Sequence, residues 1–143
     1  MREFRKYTVW QVAFQWVKAL YIIADKLPSS EKFGLVSQMT RAVVSIPSNI
    51  AEGCSRNSDI EFKRYLEKAL GSSFESETQI LLCADFQLMN DELETSLIER
   101  IYRNQAEIKS FILKIKIGRW RIANSQSLTA FNQQKPPQDD ITL

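Results

Sequence analysis

The chain has 143 residues, 44% of them hydrophobic and 25% charged, with four Gly and four Pro. That length fits one domain with a core of its own, and the composition excludes a collagen-like, mucin-like or wholly disordered chain. Nineteen Lys and Arg against seventeen Asp and Glu leave a formal charge of +2, so net charge selects no class of partner and the distribution of charge has to.

His is absent, which removes the commonest general base and metal ligand together. Cys54 and Cys83 stand alone, too few for a zinc site and too sparse for a disulfide framework, and read as small buried apolar residues. No metal, cofactor or enzymatic activity is expected. Glu75 and Glu77 lie two apart on a helix and do not face one another, and neither Ser45 nor Cys54 has an identifiable base. No signal-peptide pattern and no run of about eighteen apolar residues occurs, so a cytoplasmic protein without membrane contact is expected.

The first helix is read over Tyr7 to Leu27, where Val9, Ala13, Trp16, Leu20, Ile23 and Leu27 form one stripe. Trp10, Phe14, Val17 and Tyr21 form a second stripe beside it, and together they make an apolar arc wider than one bundle core uses. The second stripe is therefore the candidate oligomer interface. Pro28 and the serines after it end the helix.

The second helix is expected from about Glu31 to Gly53, with Leu35, Val36, Met39, Ala42, Val43, Ile46 and Ile50 inward. Pro47 removes a hydrogen bond and clashes with the Val43 carbonyl, at a cost of about 3 kcal/mol, so a kink or a break is expected there. Gln38, Arg41, Ser45, Ser48, Asn49 and Glu52 lie opposite the apolar stripe, either as a solvated face or as donors to the freed carbonyl.

Gly53 ends that helix, and Ser58-Asp-Ile-Glu61 is a capping box that opens the third. Its inner stripe is Phe62, Leu66, Ala69, Ser73, Ser76, Ile80 and Cys83. Small residues around Gly71 are expected to allow a close helix approach. A second stripe of Leu70, Phe74, Glu77, Leu81 and Ala84 places a carboxylate among apolar residues, for which Arg41 is the candidate partner. Asn90 caps a fourth helix carrying Leu97, Ile101, Ile108, Phe111, Ile115 and Ile122 at heptad-like spacing. The reading is all-α: an antiparallel up-down-up-down four-helix bundle over residues 1–123, with a disordered polar tail over 124–143.

The block Gln38, Arg41 and Ser45 to Gly53, including Pro47, Asn49 and Glu52, followed by Phe62, Leu66, Gly71, Ser72, Glu75, Glu77 and Thr78, resembles the four-helix-bundle proteins encoded in intervening sequences of bacterial 23S ribosomal RNA genes. The resemblance covers roughly residues 4 to 118. Thr40-Arg41 stands where the family often has a basic pair, and Ser73 and Ser76 stand where it has aliphatic residues. The resemblance implies a kinked bundle that assembles as a homopentamer. It also implies similarity to the accessory variability proteins of diversity-generating retroelements, which bind nucleic acid and a reverse transcriptase. It implies no active site, and assigns the motif residues to folding and assembly.

Antiparallel order gathers the start of the first helix, the second-to-third connection and the end of the fourth helix at one end. Arg2, Arg5, Lys6, Arg56, Lys63, Arg64, Lys114, Lys116, Arg119 and Arg121 collect there against fewer acids, while the other end is acidic. Part of this pattern follows the helix dipole, but Lys63 and Arg64, in a first turn, oppose it. Two functions stay open: binding of RNA or DNA through phosphate contacts with little sequence selectivity, or a scaffold whose helix faces recruit a partner protein.

Overall fold

The computed structural model describes residues 2–31 and 34–116. After a 3-10 turn at Phe4–Lys6 come four helices: α1 at Thr8–Ala24, α2 at Leu35–Cys54, α3 at Asp59–Asp85 and α4 at Asp91–Lys116. Each packs on two others, α1 on α2 and α4, and α3 on α2 and α4, as expected for a four-helix bundle. The helices differ in length, α1 having 17 residues and α3 having 27. The expected tail, and any continuation of α4 to Ala123, lie outside the described residues.

Burial follows the inner stripes. Val9, Ala13, Trp16 and Leu20 of α1, Met39, Val43, Ile46 and Ile50 of α2, Phe62 and Leu66 of α3, and Leu97, Ile101 and Ile108 of α4 are all buried. Tyr7, Phe62 and Phe111 tie the ends of three helices together, with Tyr7–Phe111 and Phe62–Phe111 ring centroids 5.0 and 5.7 Å apart. Helix starts behave as their caps dictate: Ser58 Oγ accepts from the Glu61 amide at 3.1 Å and Asn90 Oδ1 from the Leu93 amide at 2.8 Å. At the end of α3 the Leu88 amide reaches the Cys83 carbonyl and the Gln87 amide the Ala84 carbonyl, both at 2.9 Å. This left-handed cap usually takes glycine, and here Gln87 adopts it with φ of 57°.

Three expectations are resolved by the structure. First, of the kink or break expected at Pro47 the break does not occur, since α2 continues as one helix through that residue. Burial of Ile46, Pro47 and Ile50 offsets the lost hydrogen bond, since each well-buried aliphatic side chain is worth about 1.5 to 3 kcal/mol. The nearby polar groups do not serve the Val43 carbonyl: Ser45, Ser48 and Asn49 donate instead to the Ala42, Val44 and Ser45 carbonyls at 2.8 Å each.

Second, of the small residues in the middle of α3, Ala69, Ser73 and Ser76 are buried as expected but Gly71 is exposed, and the glycine held at a close approach is Gly53. A Cβ on Gly53 would lie 2.8 Å from both Phe62 Cδ2 and Tyr65 Cβ, whereas one on Gly71 would meet nothing within 4 Å. Third, Arg41 does not partner Glu77. Arg41 is exposed and makes no ion pair among the described residues, and Glu77 Oε2 instead accepts from Gln105 Nε2 of α4 at 2.6 Å. Of the motif residues, Gln38, Arg41 and Glu52 of α2 are exposed, which is the solvated-face outcome for that part of the helix, and Glu75 of α3 is exposed as well.

Candidate nucleic-acid surface

The chain's antiparallel course brings residues 2–7, the connection at 55–58 and the last turns of α4 to one end. The Arg2 amide donates to the Cys54 carbonyl at 3.3 Å, pinning the N-terminal segment against the α2–α3 corner. The cations expected there then separate by what they touch.

Three are engaged within the chain. Arg2 donates to Asp59 Oδ1 and to the Arg56 carbonyl, each at 2.6 Å, and lies 4.7 Å over the Phe62 ring, with only 12% of its side chain exposed. Arg56 binds Glu52 at 2.9 Å and the Tyr65 hydroxyl at 2.6 Å. The bond to Glu52 is the main reason its pKa is raised, with Tyr65 adding to it. Lys63 pairs with Glu67 one turn along α3 at 2.7 Å. The charge of each is already partly neutralised by an acid, and Arg2 is a structural element of the corner.

Arg5, Lys6, Arg64 and Lys114 are exposed and make no ion pair among the described residues. The Lys116 side chain, Arg119 and Arg121 lie outside the described residues. The usable part of the basic end is thus smaller than a count of cations implies.

The side of the bundle supplies what the end loses. A cleft of about 560 Å³ between α1 and α4 is lined by residues that include Arg5, Trp10, Phe14, Gln15, Arg100 and Arg103. Arg100 and Arg103 are exposed and likewise have no ion pair among the described residues. Trp10 and Phe14 stack with centroids 4.8 Å apart at 27°, and Phe4 meets Trp10 edge-on at 5.2 Å. Gln11 Nε2 donates to the Arg5 carbonyl at 2.9 Å, fixing the backbone from which Arg5 projects.

The expected oligomer stripe on α1 is partly open. Trp10 and Val17 are half-buried, while Phe14 and Tyr21 are 43% and 50% exposed. The stripe is divided between two settings, because its first two residues line the arginine cleft and Tyr21 continues to the far end beside exposed Ile22. Sequence reasoning missed Arg100 and Arg103. They were legible only as exposed positions on α4, and what gives them meaning is the packing of α4 against α1.

Burial pushes the Cys54 thiol up to about 12, partly opposed by Arg2, and burial also raises Cys83. Both cysteines are therefore held as thiols rather than nucleophilic thiolates. Among the described residues no group of three or more His, Cys, Asp and Glu is placed to hold a metal, and no helix is long and apolar enough to cross a membrane.

Residues 5–110 match the family model of the 23S rRNA-intervening sequence protein. Among solved structures, the chain is similar to a protein of unknown function from the S23 ribosomal protein family of Bacteroides thetaiotaomicron. The two are 22% identical over 73% of this chain and 94% of that one, with a TM-score of 0.68. That likeness is one of fold. No curated protein matches the chain.

Proposed function

The chain belongs to the 23S rRNA-intervening sequence protein family, and from that premise we propose that it is a non-enzymatic nucleic-acid-binding protein that contacts phosphates with little regard to sequence. The observation that carries this reading is the set of exposed cations Arg5, Lys6, Arg64 and Lys114 at one end of the bundle, none with an ion-pair partner among the described residues. Such groups bind by releasing the counterions condensed on a phosphate backbone. The end offers helix termini and flexible side chains rather than a recognition helix, which favours backbone contacts over reading of base edges. RNA and DNA are both substrates of this chemistry.

Association with further copies of the chain, in the ring of five that the resemblance implies, or with a partner protein is a second reading. Tyr21 and Ile22 on α1 and Phe74, Leu81, Leu82 and Phe86 on α3 favour it, all being exposed large apolar or aromatic side chains. Assembly would multiply the basic end and strengthen phosphate binding.

Binding of the purified protein to RNA and DNA of several unrelated sequences, followed against salt, tests the main reading. Affinity that falls steeply and alike for all sequences supports it. No binding at low ionic strength leaves the scaffold reading in its place.

A further inference from the structure

The cleft between α1 and α4 combines features that a phosphate-binding surface alone does not need. Its lining includes three arginines, Arg5, Arg100 and Arg103, the first with its guanidinium over the Phe4 ring at 5.6 Å, and a stacked pair of aromatic residues, Trp10 and Phe14. Its volume of about 560 Å³ falls within the range of small-ligand sites. Apart from Arg5 and Thr8 the lining residues lie within α1 and α4, where backbone groups are used by the helix itself, so an extended peptide would find few partners for its main chain. A nucleobase needs only a π-face to stack on, and guanidinium groups suit the phosphates that flank it.

We propose that this cleft is a single-strand site, in which one unpaired base extends the Trp10–Phe14 stack on Phe14 while adjacent phosphates are held by Arg5, Arg100 and Arg103. The proposal rests on the nucleic-acid reading above and deepens it. The basic end binds any phosphate backbone, and the cleft gives preference to strands whose bases are free. A duplex keeps its bases within its own stack and gains only the electrostatic part. Gln15, exposed at the same cleft, is available to an edge of the stacked base.

Phe14, Arg100 and Arg103 are exposed, so their substitution leaves the fold intact and circular dichroism verifies this. The probes are a short oligothymidylate and a mixed-sequence DNA duplex, each titrated against wild type, Phe14→Ala and Arg100→Gln/Arg103→Gln, with particle mass measured in parallel. Phe14→Ala is expected to weaken the single strand by about 10-fold or more, the scale of one lost base stack, while duplex affinity changes less than about 2-fold. Phe14→Tyr restores single-strand binding, because the ring is what acts. The double arginine variant is expected to lower the salt dependence for the single strand more than for the duplex.

If wild type binds both probes and Phe14→Ala weakens neither, or weakens both equally, the single-strand site is refuted while phosphate binding at the basic end stands. If Phe14→Ala changes the particle mass, a second copy of the chain fills the cleft and the proposal is refuted. Displacement by polyglutamate that matches displacement by oligothymidylate, with Phe14→Ala indifferent, makes the cleft an acidic-peptide site and also refutes it. Failure of wild type to bind either probe overturns the functional reading itself.

Discussion

The α2–α3 corner and the α1–α4 cleft each hold three long cationic side chains, and they use them in opposite ways. At the corner, Arg2, Arg56 and Lys63 meet Asp59, Glu52 and Glu67 at 2.6 to 2.9 Å. In the cleft, Arg5, Arg100 and Arg103 meet no carboxylate among the described residues. At the corner one pair joins the N-terminal segment to α3 and two close over a single helical turn, whereas the cleft leaves its charge without an acid. Like charge gathered at one place therefore makes a binding surface only where the fold supplies no acid of its own.

The largest stability effect should come from the corner. Arg2→Ala removes an ion pair, a bond to the Arg56 carbonyl and the contact with Phe62. A loss of about 2 kcal/mol is expected, below the range for a fully buried pair because the Asp59 side chain is 36% exposed. Chemical denaturation measures it, and an unchanged midpoint would show that Arg2 is as free as the cleft arginines. Gly53→Ala comes next, because its new methyl meets Phe62 and the Tyr65 Cβ at 2.8 Å, and roughly 1 to 2 kcal/mol should be lost as α2 and α3 separate.

Gln87→Gly moves the other way. Relief of the left-handed backbone at the end of α3 should raise stability by about 1 kcal/mol, seen as a higher Tm. Arg41→Ala sharpens the contrast from the other side of the bundle. An exposed guanidinium without an ion pair should change stability by less than about 0.5 kcal/mol, and a large loss would restore the pairing with Glu77 expected from the sequence.

Local signals were readable and long-range ones were not. Ser58 with Glu61, and Asn90 before its acids, act within one turn and were visible as caps. The inner stripes of α1 and α3 were equally visible, because their periodicity is a property of each helix alone. The Arg2–Asp59 pair joins residues 57 apart in sequence, so the sequence alone shows Arg2 as a free cation although the fold pairs it. Pro47 does not break α2, because the core that encloses it offsets a loss that propensity alone reads as a helix end. Gln87 carries no sequence signal of a left-handed cap, since that conformation is usually announced by glycine. Asn104 is fully buried in a gap of the α4 stripe between Ile101 and Ile108, where the spacing alone leads one to expect an apolar residue.

The dependence of nucleic-acid affinity on salt, compared between two variants, tests the central distinction most directly. One variant carries Arg5→Gln, Lys6→Gln, Arg64→Gln and Lys114→Gln, and the other Arg56→Gln and Lys63→Gln. The first should keep its helicity, bind all sequences more weakly, and lose about 3 to 4 from the slope of log affinity against log salt, one counterion for each cation removed. The second should keep the wild-type slope. Equal loss of slope per cation in the two variants would contradict the account, because paired and unpaired cations would then serve the nucleic acid alike.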